Sequence, residues 1–357
     1  MSRTIGVGII GAGNIGQVHA LALDGIPGAR LVAVADVNVT AAAVLAETYG
    51  AQPYGDYCQM LSHRDLSLVS ICTPSGLHLP AALACARAGK HIFCEKPLEV
   101  TTARIDRMIA TAEKFGVSVA GVFQSRLSPA ATQLKAAVDQ HRFGRLCYGN
   151  ANVKWYRDRD YYQKVPWRGT RKLDGGGALM NQSIHQIDLL RWLMGPVEKL
   201  CALTDNLGHA GLIEAEDTAT VMLKFRSGAQ GTIIGSTALW PGQPARVEIF
   251  GTEGTAAIED GVLKLWQFKT RQRGDEAILA AIEGGNQQSA LGTAASDPIK
   301  GLKAEGHRLE LAAYIEAILA GKPFWLDGRE CRKAVYLITQ AYRSAGSRRW
   351  VKCQEDI

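Results

Sequence analysis

Thr4-Ile5-Gly6-Val7-Gly8-Ile9-Ile10-Gly11-Ala12-Gly13-Asn14-Ile15-Gly16 is the stretch on which the fold of the first part of the chain turns. Residues 4–10 form a short apolar run of the kind buried in a parallel sheet. Gly11 to Gly16 has the spacing G-x-G-x-x-G, and a helical pattern, Gln17 to Leu23, follows. That spacing is weak alone; between a strand and a helix it is a dinucleotide fingerprint. Gly11 permits the tight turn, Gly13 lets backbone approach a pyrophosphate, and Gly16 lets helix pack on strand. The helix N-terminus then faces the phosphate charge. A second apolar run, Arg30 to Ala35, ends at Asp36, 20 residues past Gly16. A carboxylate there accepts hydrogen bonds from both ribose hydroxyls and repels a 2′-phosphate, and no arginine directly follows it. NAD is therefore expected over NADP, held by Gly11, Gly13, Asn14, Ile15 and Asp36. The competing readings are a glycine-rich turn of another α/β protein and a SAM-binding fold.

Outward from this stretch, strands and helices alternate. Ser67 to Cys72, His91 to Cys94 and Val117 to Val122 read as strands. Leu79 to Ala88 and Thr101 to Phe115 read as helices, closed by Gly89 and Gly116. Such alternation builds a doubly wound parallel sheet, with ligands bound beyond the strand C-terminal ends. Thr73-Pro74 and Glu95-Lys96-Pro97 fall at those ends. Pro74 offers a flat apolar surface beside a nicotinamide ring, and the Lys96–Pro97 bond is a candidate cis peptide. A Rossmann domain over residues 1–125 is expected.

With 357 residues, two domains are expected. Hydrophobic residues at 47% and charged residues at 21% exclude a disordered, collagen-like or disulfide-scaffold chain. The net charge of +6 is mild, but its location is informative. Residues 1–125 hold 9 basic and 9 acidic side chains, so the excess lies in the remainder. Residues 154–172 alone hold 7 basic and 2 acidic. None of the 8 cysteines forms a C-x-x-C pair and no Cys/His spacing fits a metal motif, so no metal is expected. No run approaches the roughly 20 apolar residues that span a bilayer, and no signal peptide is legible. A cytoplasmic protein with no membrane partner is expected.

Beyond residue 125 the pattern changes. A helix, Pro129 to Gln140, precedes β-rich runs: Leu146 to Tyr156, Ala219 to Leu223, Gly231 to Ile234, Arg246 to Phe250 and Val262 to Trp266. Residues 126–357 are expected to form an α+β domain with a mostly antiparallel open sheet. Glu283 to Gly306 reads as a mobile loop, and helices at Leu309 to Leu319 and Glu330 to Ser344 close the chain.

One helix in this half, read as Ala178 to Met194, carries chemistry. Asn181, His185 and Asp188 follow i, i+4, i+7 spacing and share one stripe, with Leu179, Ile187, Leu190 and Met194 opposite. A solvated helix face is the bland reading. The triple glycine 175–177 before the helix and the lack of long charged side chains favour a site. Among the cations of 154–172 stand Trp155, Tyr156, Tyr161, Tyr162 and Trp167. Trp155 and Trp167 suit stacking on a sugar, and Arg168 suits gripping hydroxyls or an anion. Nucleic acid is disfavoured, because the cofactor half supplies no extended basic face.

Gly11–Gly16, Cys72-Thr73-Pro74 with His78, Glu95-Lys96-Pro97, Gln124-Ser125-Arg126, Trp167-Arg168-Gly169 and Gly175-Gly176-Gly177 leading to His185-Gln186-Ile187-Asp188 together resemble the glucose–fructose oxidoreductase, inositol dehydrogenase and MocA (Gfo/Idh/MocA) family. The resemblance covers nearly the whole chain. It implies NAD contacts from Thr73, Pro74, His78, Glu95, Lys96 and Gln124. It implies catalysis by Lys96 and His185, and a substrate site of Lys96, Arg126, Trp155, Trp167, Arg168, Asn181, His185 and Asp188. It implies a homo-oligomer, dimer or tetramer, joined through the second sheet. The implied activity is NAD-dependent oxidation of a ring hydroxyl of a sugar, sugar derivative or cyclitol. Many members of the family carry aspartate where this chain has Asn181, which removes one proton acceptor. The string Leu179 to His185 resembles a subgroup with levoglucosan dehydrogenase and sugar-nucleotide 3-dehydrogenases. The alternatives are a reductase acting on a keto-sugar or sugar nucleotide, and a catalytically silent NAD-binding sensor.

Overall fold

The computed structural model describes residues 4–285 and 304–354, and the chain divides into two compact units. The first comprises Met1–Gln124, Lys172–Gly175 and Lys303–Val335; the second comprises Ser125–Arg171, Gly176–Leu302 and Tyr336–Ile357. The expected boundary at 125/126 adjoins the break at Gln124/Ser125. The two later segments, however, pack with the first unit.

In the first unit, β1 (Ile5–Ile10), α1 (Asn14–Asp24), β2 (Ala29–Ala35), α2 (Val39–Tyr49), β3 (Gln52–Tyr54), α3 (Tyr57–Met60), β4 (Leu66–Ile71), α4 (His78–Arg87), β5 (His91–Cys94), α5 (Thr102–Lys114) and β6 (Val119–Gly121) follow one another. All six strands are parallel, in the order β3-β2-β1-β4-β5-β6. This is the doubly wound dinucleotide order expected from the alternation. Every residue of β1 is buried, as its unbroken apolar run requires. Asn38 caps α2 by accepting from the Ala41 N–H, and Thr101 caps α5 by accepting from Arg104. By contrast, α1 starts at Gly13 with no side-chain cap, which leaves its first N–H groups to another acceptor.

The second unit contains α6 (Pro129–Asp139), β7 (Leu146–Lys154), α7 (Arg159–Gln163), α8 (Ile184–Met194), β8 (Val197–Asp205), β9 (Thr218–Phe225), β10 (Gln230–Ser236), β11 (Arg246–Gly251), β12 (Gly254–Glu259), β13 (Val262–Phe268) and α9 (Asp275–Glu283). Its eight-stranded sheet runs β13-β12-β11-β7-β10-β9-β8-β14, with β14 at Val351–Lys352. The β7/β10 pair is parallel and the other pairs are antiparallel, so the sheet is mixed but mostly antiparallel. Alternate residues of β9 are buried, the mark of a sheet with one covered face. Gly149 on β7 lets α8 come close: a Cβ there would lie 2.8 Å from Met194.

Two helices complete the chain. α10 (Ala304–Ala320) belongs to the first unit and packs on α1. α11 (Gly328–Ser347) gives its start to the first unit and its end to the second. The loop expected over Glu283 to Gly306 falls mainly on 286–303, outside the described residues. At its margins Glu283 ends α9, and Ala304 to Gly306 already belong to α10.

A buried ion pair ties α9 to the sheet edge. The Asp275 carboxylate accepts from Arg142 Nη1 and Nη2 at 2.9 and 2.7 Å, from Trp266 Nε1 at 2.8 Å and from the Gln272 N–H at 2.7 Å. The Arg142 hydrogen bonds lead in holding its pKa down at about 2, against burial. The folded pKa lies below the unfolded one, so this stability is present above pH about 4 and lost as pH falls toward 2. Asp275→Asn is expected to cost about 2 kcal/mol at pH 7. Urea unfolding should show that difference closing in acid; a gap independent of pH would refute the ion-pair origin.

Candidate functional site

In the first unit the candidate residues gather at the C-terminal ends of β1, β2, β4, β5 and β6. Gly11 has φ +101°, and a Cβ there would meet the Cys72 carbonyl oxygen at 2.6 Å. A Cβ on Gly16 would lie 2.0 Å from the Gly11 oxygen, so helix and loop touch only through glycine. At Gly13 a Cβ would meet nothing within 4 Å; that face is open, and a ligand can approach the backbone. Asn14 is exposed and Ile15 partly so. Asp36 Oδ2 accepts from the Ala12 N–H at 2.7 Å, and Oδ1 from the Asn38 N–H at 2.8 Å. The carboxylate is thus fixed against the glycine loop, with lone pairs left for two hydroxyls. The Thr73 Oγ1 and Gln124 Oε1 atoms are buried without partners among the described residues. An uncapped helix start, an anchored acid and two orphaned polar atoms fit a dinucleotide.

His78, expected at the cofactor, stands differently. It is 1% exposed, with Nε2 2.9 Å from the Thr73 oxygen and Nδ1 3.0 Å from the Pro97 oxygen. Burial pushes its pKa down against those bonds. Both ring nitrogens face protein carbonyls, and the one that carries the proton donates, so the buried imidazole is wedged between the Thr73-Pro74 and Lys96-Pro97 loops. The Lys96–Pro97 bond is cis.

Glu95 also turns inward. Its Oε1 lies 2.8 Å from His19 Nε2 and 3.2 Å from His307 Nε2, and its Oε2 accepts from the Lys96 N–H at 3.0 Å. All three ring and carboxylate side chains are buried. Burial works to raise the Glu95 pKa, but His19 and His307 overcome it and hold the carboxyl well below its usual range. His19 is pushed down by burial, against Glu95. The three groups present potential ligand atoms within 4.8 Å of one another, a juxtaposition that spacings of 76 and 212 residues hide from sequence reading.

In the second unit the helix read as Ala178 to Met194 is two elements. Ala178–Gln182 is a π-helical turn, closed by Ser183 N–H donating to the Ala178 oxygen at 2.9 Å, and α8 follows. Ser183 Oγ donates to the same oxygen at 2.7 Å. Glu216 clasps the start of the turn, accepting from Gly177 N–H at 3.1 Å, Leu179 N–H at 2.9 Å and Tyr342 Oη at 2.9 Å. The expected single stripe breaks accordingly. Asn181 and His185 are partly exposed, whereas Asp188 is fully buried.

Asp188 accepts from Arg126 Nε at 2.6 Å and Nη2 at 2.5 Å, at 0% and 1% side-chain exposure. Both were expected to bind substrate; the geometry makes them a buried bidentate pair at the base of α8. Asn181 Oδ1 accepts from Gln182 Nε2 at 2.5 Å, and Gln182 Oε1 accepts from Arg157 at 2.8 and 3.2 Å. Sequence reading missed Arg157, Gln182 and Glu216 as supports, because Arg157 meets Gln182 across 25 residues and Glu216 meets the turn across 37 to 39. Trp155 is 8% exposed and packs with Val153 and Ala245, yet its Nε1 has no partner among the described residues. Trp167 is partly exposed. The Arg168 guanidinium stacks 3.9 Å from the Tyr161 ring centroid and helps line a cavity of about 390 Å³ with Tyr162, Thr170 and Glu214.

Residues 5–122 match the oxidoreductase family with an NAD-binding Rossmann fold, and residues 131–257 match the GFO/IDH/MocA C-terminal domain. The WlbA dehydrogenase of Bordetella pertussis, solved with NADH and UDP-GlcNAcA, superimposes with a TM-score of 0.89 at 32% identity, over 99% of both chains. The chain belongs to the Gfo/Idh/MocA family.

It is thus an NAD-dependent oxidoreductase of the Gfo/Idh/MocA family with an NAD-binding Rossmann domain. The myo-inositol 2-dehydrogenase of Thermotoga maritima is 29% identical over 98% of this chain and 99% of its own. The levoglucosan dehydrogenase of Pseudarthrobacter phenanthrenivorans is 28% identical over 71% of this chain and 73% of its own. No helix among the described residues is long and apolar enough to cross a membrane.

Proposed function

We propose that the protein oxidises a ring hydroxyl of a sugar, sugar derivative or cyclitol, with Lys96 and His185 assisting proton removal. The observation that carries this reading is Lys96, held through its backbone N–H at the C-terminal end of β5, on the edge of an NAD-binding sheet. Bound NAD supplies the hydride acceptor. The residues of this chain manage the proton and the alkoxide charge. The Lys96 ammonium donates a hydrogen bond to the reacting oxygen and stabilises its developing charge. The His185 imidazole takes the hydroxyl proton, the general-base task that histidine most often performs. Asn181, steadied by Gln182, binds a neighbouring hydroxyl, and the Trp155 Nε1–H offers another donor. The Arg126–Asp188 pair and Glu216 act through α8 and the turn before it.

Two of the relatives named above bear the names of inositol and levoglucosan dehydrogenases, and the third was solved with UDP-GlcNAcA, which frames the substrate class. A nucleotide sugar acid is a second reading, supported by the 7 basic and 2 acidic residues of 154–172 and by Arg168 in the cavity wall. A homo-oligomer is part of the proposal, supported by Leu203 and Met222, 69% and 48% exposed on β8 and β9.

A panel of sugars, cyclitols and nucleotide sugars with NAD tests the reading. NADH formation with at least one member is expected. A ligand that raises the melting temperature while none yields NADH, in either direction, would favour the silent sensor.

A further inference from the structure

α10 reaches the catalytic edge from nearly the far end of the chain. His307, Glu310 and Tyr314 stand at i, i+3 and i+7 and share one helix face. Each meets the strand side of the first unit. Tyr314 Oη lies 2.7 Å from Ser118 Oγ, and Glu310 Oε1 accepts from the Phe123 N–H at 2.9 Å. His307 meets Glu95. From the other side comes His19 of α1, its ring centroid 5.0 Å from that of His307.

The proton inventory fixes the direction of these bonds. An ionised carboxylate only accepts, so both Nε2 atoms donate to Glu95 Oε1. His19 Nδ1 then accepts from Ser70 Oγ at 2.6 Å. The second carboxylate oxygen remains for the Lys96 N–H. Two imidazoles thus orient one oxygen, and the other oxygen orients the lysine backbone. Losing either histidine leaves a buried anion short of a donor, a costly state that the loop relieves by moving.

We propose that His307 and His19 are positioning residues for Lys96, acting through Glu95. The inference rests on the proposed role of Lys96. It assigns to a C-terminal helix, outside the 5–122 Rossmann match, a part in arranging the reacting edge.

The test compares His307→Ala and His307→Gln with the wild-type protein. Gln carries an N–H donor where imidazole has Nε2. Two readouts are taken: amide hydrogen exchange at Lys96, and kcat and KM for NAD with myo-inositol, levoglucosan or UDP-GlcNAcA, whichever is oxidised. His307→Ala is expected to speed exchange at Lys96 at least tenfold and to lower kcat about tenfold. KM for NAD should stay within about twofold, and His307→Gln should recover most of both losses. The exchange readout stands even if no probe is oxidised. Unchanged exchange in His307→Ala overturns the inference, as does an equal loss in both variants. Stoichiometric divalent metal on the purified protein also overturns it, because the three side chains would then be ligands. Normal turnover in Lys96→Ala defeats the lysine role itself. An inactive Lys96→Ala beside an unaffected His307→Ala defeats only the positioning role.

Discussion

Lys96→Ala is expected to lower kcat by about 10²–10⁴, the range in which a positioned proton-handling group contributes. The dissociation constant for NAD should change by less than about threefold. Lys96 is partly exposed, so its truncation opens no core cavity and the variant should fold. In the proposed mechanism its contribution is electrostatic and local: an ammonium group beside an oxygen that gains negative charge. Because Glu95 fixes the backbone through the Lys96 N–H, the loop geometry should survive the change. Stopped-flow or steady-state NADH formation, with calorimetric titration of NAD, checks both halves. Turnover at the wild-type rate would remove Lys96 from the mechanism. Loss of NAD binding in step with kcat would make it a cofactor ligand.

A preference for NAD over NADP of about 100-fold or more, or about 2.8 kcal/mol, is expected in dissociation constants. Asp36 is the reason. Two backbone N–H groups at 2.7 and 2.8 Å anchor its carboxylate, so it cannot swing away from a 2′-phosphate. Val37, the next residue, is 96% exposed and offers no cation. Asp36→Asn keeps an oxygen acceptor for the glycine loop but removes the charge. It should cut the preference at least tenfold, mainly through tighter NADP binding. Adding Val37→Arg should bring the ratio near unity. Wild-type protein that binds NADP more tightly would contradict the reading of Asp36.

The first sheet was legible because its strands are buried on both faces. Ile5–Ile10 and Leu31–Ala35 are unbroken apolar runs; Gly11 ends the first, and Pro27-Gly28 precede the second. A three-residue strand such as β3 carries no such signal, and neither does β12, which begins at Gly254 with small residues. The alternating strands β9, β10 and β11 were found; β8, with its lysine and glutamate, was not.

The candidate site was legible where its residues sit within one short string. Gly11–Gly16, Asp36, Lys96 and His185 are local signals. What stayed hidden depends on distant pairing. Helical periodicity at 178–194 cannot reveal a π-helical turn, because the turn is closed by Ser183 and clasped by Glu216. It cannot distinguish Asp188 as an exposed ligand from Asp188 as the buried partner of Arg126. His307 carries no local signal either, because its partner Glu95 lies 212 residues away.

The most direct measurement mixes the NAD-loaded protein with myo-inositol, levoglucosan and UDP-GlcNAcA in turn, and follows NADH and product mass together. Expected is NADH in step with a product two hydrogens lighter than one of these substrates, or of a close relative of one. Bound NAD that stays oxidised across the whole panel, with bound NADH equally inert toward the corresponding ketones, would contradict the proposed function.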